Sequence, residues 1–311
     1  MRTDKSDMNR FLTLFICLFL AVSSSAQLLW RISGRDLEKP SYLFGTYHLA
    51  SLSVLDSIEG VMPAIRSVDK VYGEVVASDM LDSDTLVSVA QRLILPGDTE
   101  LADLLAPQEF SIVEAFLNEN LGLSLADINM AKIFPVALTN QITVFAAAKG
   151  IPGYNPSNPL DAGIQVLAKQ LGKDVGGLES VSFQMDLMVS QPLKRQAEQL
   201  VCTVESFDSL VVQSKRLTDA YYSQDLLLIE ALMIGDGVDS ACDYTQEEKD
   251  AIINERNKAW LRKMPGIMES GSTLFAVGAG HLAGSDGLIA LLVDAGYDVE
   301  PVEKLTNERM Q

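Results

Sequence analysis

The chain has 311 residues, of which 48% are hydrophobic, and it carries a formal net charge of −18 at pH 7. That length and hydrophobic content suffice for a sizeable buried core. A chain this acidic repels phosphate backbones, which argues against nucleic acid as a partner.

The N-terminus has the order of charges and apolar residues that is typical of a secretory signal peptide. Three basic residues precede an apolar run over residues 11–22, which is too short to span a bilayer comfortably. Small residues at 24–26 then offer a cleavage site near Ala26–Gln27. We therefore predict a signal peptide over residues 1–26 and a mature protein in the periplasm or the medium, with an uncleaved anchor as the alternative. No later apolar run is long enough to predict a stable membrane span.

The mature chain would keep two cysteines, Cys202 and Cys242. In an oxidising compartment such a pair is more often a disulfide than two free thiols. Neither cysteine stands near a histidine in the sequence, which argues against a catalytic thiol.

The first part of the mature chain alternates strand and helix patterns. Residues 27–32 and 41–44 flank a polar turn and predict a β-hairpin. Apolar residues at helical spacing predict a helix over residues 53–67. Residues 68–76 then read as a strand that contains Glu74. A carboxylate among valines is costly to bury unless it is paired or bound to a ligand, and an edge-strand acid facing water is the alternative.

The middle of the chain is mainly helical. Residues 78–150 predict a helical insert in which Pro135 splits the last helix, and this insert is either structural support or a lid over the site. A short strand over residues 173–178 leads to a second acid, Glu179. Residues 190–265 return to helical patterns.

The last unit, residues 273–299, reads as strand, glycine turn, helix and strand, and a polar tail follows at 303–311. Strands at both ends with helices between them predict a single α/β domain over residues 27–302. Its central mixed sheet is expected to be built from the N- and C-terminal segments, with the large helical insert and the helical middle around it.

Both histidines of the chain stand in the same local motif. Gly45 to His48 and Gly278 to His281 each read Gly-x-x-His, and each follows an apolar strand. The glycines are expected to permit positive φ and close backbone approach, so that the imidazole leaves the strand end sharply. The alternative is that both histidines only pack or shape turns. If the end strands share one sheet, the two imidazoles meet.

Two neutral imidazoles and a carboxylate are a common ligand set for a catalytic divalent metal. Glu74 is the first candidate for the third ligand or the general base, and Glu179 is the second candidate. Arg256 and Asn257 are candidates to orient a carbonyl or stabilise an oxyanion, unless they only form a solvated helix face.

Other chemistries find less support. The sequence has no Gly-x-Ser-x-Gly and no His-Glu-x-x-His. Gly278-x-Gly280 approaches a dinucleotide loop, but His281 would crowd the phosphate and the acid expected about 20 residues later is only loosely matched.

The chain resembles the TraB/GumN family, which is related to the Tiki proteases. The resemblance lies in these segments: Leu43 to His48, Gly73-Glu74, Leu160-Asp161, Gly177 to Glu179 with Gln184, Glu255 to Asn257 with Trp260, and Val277 to Gly284. It implies a metal-dependent hydrolase, and more narrowly a peptidase acting on a peptide or protein, that uses Mn, Co or Zn. It further implies His48, Glu74 and His281 as metal ligands, with Arg256 and Asn257 in support. A non-catalytic protein that sequesters a peptide or similar small ligand is the alternative.

Overall fold

The computed structural model describes residues 27–302, apart from 152–153, 155–158 and 235–242. The predicted signal peptide, the tail at 303–311 and Cys242 therefore lie outside the described residues. Within the described part of the chain, no helix is long and apolar enough to cross a membrane.

The fold is α/β and is organised by a mixed sheet whose strands are paired in the order β4-β3-β5-β2-β1-β6. The strands are β1 Leu29–Ser33, β2 Ser41–Thr46, β3 Lys70–Gly73, β4 Asp174–Gly177, β5 Thr273–Gly278 and β6 Asp298–Pro301. Strands β4, β3, β5 and β2 are parallel, whereas β1 is antiparallel to both β2 and β6. The predicted sheet of N- and C-terminal segments is therefore confirmed.

Strand β5 lies in the middle of the sheet between β3 and β2. Residues 273–277 are all buried, as expected for a continuous apolar run in a sheet covered on both faces. Because β5 comes from the C-terminal part of the chain and β2 from the N-terminal part, their pairing brings the two ends of the sequence together.

Helices cover the sheet and form the insert. Those before β4 are α1 Val61–Ser67, α2 Ser83–Arg92, α3 Leu101–Leu104, α4 Pro107–Leu121, α5 Ile128–Ala131, α6 Pro135–Gly150 and α7 Leu160–Gln170. Those after it are α8 Val181–Met188, α9 Leu193–Glu205, α10 Phe207–Tyr222, α11 Leu226–Ile234, α12 Gln246–Lys249, α13 Glu255–Leu261, α14 Met264–Glu269 and α15 Leu288–Asp294. Shorter 3₁₀ turns span Leu52–Asp56, Asp79–Leu81 and Ala279–His281, and one π-helical turn spans Asp250–Asn254.

Two boundaries differ from the sequence-based expectations. The helix predicted over 53–67 is divided at Gly60, whose φ of 89° belongs to the left-handed region and ends the helical path. The strand predicted over 68–76 ends at Gly73, so that Glu74 follows the strand instead of lying in it. Between α12 and α13 the helix passes through the π turn. Pro135 begins α6, as the predicted split requires.

The buried side chains form two hydrophobic clusters. The first surrounds the sheet and includes Phe44, Phe275 and Trp260. The second joins the insert to α9 and α10, with Leu117, Leu138 and other apolar residues at its centre. The insert therefore has a core of its own.

Candidate active site

The carboxyl ends of four parallel strands form the site. In the pairing of β2 with β5, Thr46 lies opposite Gly278, so the two Gly-x-x-His turns leave the same edge side by side. Strand β3 ends with Gly73 opposite Ala276, which places Glu74 at this edge. Glu179 follows β4 at the same edge. Open α/β sheets usually bind their ligands at this edge.

His281 is buried, with 4% of its surface exposed, and its ring is enclosed by α13. Asn257 Oδ1 lies 2.7 Å from Nδ1, and Arg256 Nη1 lies 3.0 Å from Nε2. The Trp260 ring packs against the imidazole with 4.4 Å between centroids. Because a guanidinium only donates, Nε2 is the acceptor and Nδ1 carries the proton. Burial lowers the pKa of His281 to about 3, although the negative charge of Glu74 acts in the opposite direction, so the ring is neutral at pH 7.

Glu74 is the carboxylate nearest to this ring. The amide of Gly278 donates to Oε1 over 2.9 Å, and Gln184 Nε2 donates to Oε2 over 3.0 Å. His281 Nε2 lies 3.8 Å from Oε1. Burial by itself would raise the pKa of Glu74, but nearby positive charge, which the Arg256 guanidinium supplies while His281 is neutral, and the Gly278 amide outweigh burial and lower that pKa to about 2. Glu74 is therefore ionised, and the edge-strand acid facing water is excluded, since its side chain is 10% exposed.

Arg256 ties the carboxylates to His281. Its Nη2 donates to Glu179 over 2.5 Å and to Glu74 over 2.6 Å, while Nε donates to Glu179 over 3.1 Å. Nη1 reaches the Ile252 carbonyl at 3.1 Å as well as His281. All five N–H groups of the guanidinium are thus engaged. Arg256 and Asn257 are both buried, which excludes a solvated helix face. A contact between Arg256 and a substrate oxygen would require one of these bonds to break.

Asn257 holds the second histidine turn. Its Nδ2 donates to the backbone oxygens of His281 and Asp286 over 3.1 and 2.8 Å. Because both N–H groups are used on carbonyls, Oδ1 is the atom that accepts from His281 Nδ1. The side chain is completely buried, and it has no N–H group left to donate to a substrate oxygen.

His48 faces solvent, with 68% of its side chain exposed. Its Nδ1 lies 2.8 Å from Asp161 Oδ2, and Thr46 Oγ1 donates to Asp161 Oδ1 over 2.5 Å. The charge of Asp161, together with this hydrogen bond, raises the pKa of His48 to about 9. Solvent screens the pair, but the direction of the shift protonates the ring at neutral pH.

The glycines of the two turns act through close approach. A Cβ at Gly45 would lie 3.1 Å from Ala279 Cα and from Leu282 Cδ2, so the first turn packs directly on the second. The expected positive φ is not found at Gly45 or at Gly278, whose φ is −51°. Close packing of the second turn, and not a left-handed backbone, favours glycine at Gly45, whereas a Cβ at Gly278 would lie 3.3 Å from Glu74 Oε1.

Comparison with known proteins shows the family of this chain. A model of the TraB/PrgY/gumN family matches residues 28–301. The chain belongs to the TraB/PrgY/gumN family. It is also 25% identical over 321 residues to a protein named metalloprotease TIKI2 from Danio rerio. That match covers 88% of this chain but only 60% of the relative, so the chain spans about 60% of the relative's length. No solved structure matches the chain significantly.

Several residues of this TraB/PrgY/gumN site were not assigned a role from the sequence. Asp161 and Thr46 hold His48, while Gln184 bridges Glu74 and Glu179. Trp260 donates its Nε1–H to Glu179 over 3.0 Å. The sequence offered one indication of their importance: Asp161, Gln184 and Trp260 all lie in the segments that carry the family resemblance.

The donor set fits a divalent cation in its chemistry. Both imidazoles are held at Nδ1, so Nε2 is the nitrogen of each ring that could ligate, and His48 would release its Nε2 proton on binding a cation. Glu74 supplies a carboxylate beside His281. Among the described residues, no group of three or more His, Cys, Asp or Glu side chains is arranged to hold a metal. Arg256 Nη1 contacts His281 Nε2 instead. A cation bound to that nitrogen would require Arg256 to withdraw Nη1.

Proposed function

We propose that this protein is a metal-dependent hydrolase of peptides, secreted or periplasmic, whose site is the edge described above. One observation carries the proposal: the parallel pairing of β2 with β5 aligns both Gly-x-x-His turns at the strand ends, and Glu74 directly follows the neighbouring strand. The similarity to a protein named as a metalloprotease supports the same reaction class.

His48, Glu74 and His281 would hold the cation, which when bound supplies Lewis acidity. Asn257 keeps His281 in the tautomer whose Nε2 can ligate. Arg256 and Gln184 keep the Glu74 carboxylate ionised and oriented. For a cation to bind His281 Nε2, Arg256 would withdraw Nη1, while its Nη2 and Nε bonds to the two carboxylates could remain. His48 is the exposed member of the set, so its ring is accessible to a substrate from solvent.

A non-catalytic binding protein is the second candidate. The contact between Arg256 and His281 favours it, because a guanidinium that stays on Nε2 neutralises the carboxylates without any metal. In that case the site would bind a ligand without hydrolysing it.

Metal binding and turnover separate the two candidates. We expect the wild type to bind one equivalent of Mn²⁺, Co²⁺ or Zn²⁺ in calorimetry and to cleave members of a peptide library only when metal is present. His48→Ala removes an exposed ring and should abolish both properties while leaving the melting temperature nearly unchanged. Asp208→Asn, an exposed change in the first turn of α10, is the control that should keep both. Peptide binding without cleavage at any metal concentration would favour the second candidate.

A further inference from the structure

The two histidines of the site are oriented in the same way by unlike partners. His281 is buried and gives its Nδ1–H to the amide oxygen of Asn257. His48 is exposed, and its Nδ1 is held by the carboxylate of Asp161. A carboxylate at this position only accepts, so Nδ1 of His48 carries a hydrogen and Nε2 points away from Asp161.

Asp161 is itself held in place. Thr46, two residues before His48, donates to its other oxygen, so the carboxylate bridges the backbone turn and the ring that leaves it. An exposed imidazole has little packing to restrain it, and this bridge therefore supplies its orientation.

The same face of α7 also contacts the chain that leaves Glu74. Gln165, one helical turn after Asp161, donates to the Val75 carbonyl over 2.8 Å and accepts from the Ala77 amide over 2.9 Å. Through Asp161 and Gln165, α7 relates the first histidine turn to the segment that follows Glu74.

We infer that Asp161 is a positioning residue of the site, which fixes the ring and tautomer of His48 so that Nε2 serves as the ligand atom. This inference rests on the proposed function, because Nε2 is given a ligand to bind. The competing role for Asp161 is a purely structural one, in which an acid in the first turn of a helix interacts favourably with the helix dipole.

Asp161→Asn tests the inference with almost no change of shape. Because the Thr46 hydroxyl can donate or accept, the new amide can present either its oxygen or its N–H to His48 Nδ1. This variant therefore removes the charge of Asp161 and the single tautomer that a carboxylate requires. Asp161→Ala removes the partner altogether and leaves the ring unrestrained. Asp208→Asn makes the same chemical change in the first turn of α10, where Asp208 is exposed, and controls for the helix dipole.

The first readout is the ¹⁵N spectrum of the imidazoles in full-length, metal-free protein. The chain has two histidines, and His281 serves as the internal reference because Asn257 fixes it. In spectra recorded above the pKa of His48, we expect Nδ1 of His48 to keep its proton in the wild type and in Asp208→Asn, and to lose it in Asp161→Ala, where no acceptor holds it there. A purely structural Asp161 would leave this signature unchanged.

The second readout is the affinity for Mn²⁺ or Co²⁺, measured by calorimetry. Loss of an outer partner of a metal-binding histidine weakens binding by about 10- to 100-fold, and we expect this for both Asp161 variants, with Asp208→Asn within about two-fold of the wild type. The inference is overturned if His48 keeps its Nδ1 proton in Asp161→Ala, or if both Asp161 variants bind metal as tightly as the wild type. A wild type that binds neither metal refutes the proposed function, and with it the ligand role given to Nε2. The metal-free spectra then still decide whether Asp161 sets the tautomer.

Discussion

Replacing Arg256 with methionine should reveal how strongly the site depends on one guanidinium. The side chains of Arg256, Glu74 and Glu179 are 8%, 10% and 6% exposed, so the change leaves two carboxylates buried beside each other without a counter-charge. Removing one partner of a buried ion pair costs about 3–5 kcal/mol. We expect a loss of this size in the free energy of unfolding at pH 7, measured by urea denaturation in the presence of a chelator.

The loss should depend on pH with a definite sign. In the wild type the pKa of Glu74 is lowered to about 2, so its stabilising contribution is present above its ordinary pKa and is lost as the pH falls towards 2. Without Arg256 the pKa of Glu74 rises. Each carboxyl group that gains a proton on folding then increases the free energy of unfolding by up to about 1.4 kcal/mol for each unit by which the pH falls. The deficit of the variant should therefore shrink between pH 7 and pH 5.

Arg92→Met is the matched control. Arg92 pairs with Asp186 at 2.9 Å, but the two side chains are 34% and 65% exposed. An exposed pair contributes about 0–1 kcal/mol, so this variant should lose little stability at either pH. The reasoning is refuted if Arg256→Met loses less than about 1 kcal/mol at pH 7, or if its loss is the same at both pH values.

Three further predictions concern titration, oxidation and processing. In metal-free protein, proton NMR should show one histidine titrating near pH 9, His48, and one that stays neutral down to about pH 3, His281. The stabilisation from the His48–Asp161 pair is then fully present below the ordinary pKa of histidine and is lost as the pH rises through about 9. The stabilisation from neutral His281 is present above the ordinary pKa and is lost as the pH falls towards 3. Two histidines that titrate at the ordinary pKa would contradict both shifts. A Cys202–Cys242 disulfide would close a loop of about 40 residues worth roughly 3–4 kcal/mol, and complete alkylation of both thiols without reductant would exclude it. Mass spectrometry should find the mature N-terminus near Gln27. Protein recovered from the cytoplasm with Met1 still present would contradict the predicted signal peptide and the periplasmic or secreted location.

The sequence by itself determined the features that depend on local pattern. Apolar runs followed by Gly-x-x-His marked the strands of the site and their turns, because alternation and glycine placement are local properties. Pro135 marked a helix start for the same reason, since its ring cannot continue the preceding helix. The composition of the two ends, each with strands, was enough to predict a shared α/β sheet.

Only the tertiary structure decided which polar groups meet. Asp161 lies 113 residues from His48, and Arg256 lies 182 residues from Glu74, so no local pattern reports these contacts. The glycines were predicted correctly as part of the motif, but their reason is the packing of one turn on the other, as at Gly45, which only the assembled sheet creates. Arg256 read as a free donor in the sequence, yet burial commits every one of its N–H groups to the site itself, because a buried charge must be compensated wherever the fold places it.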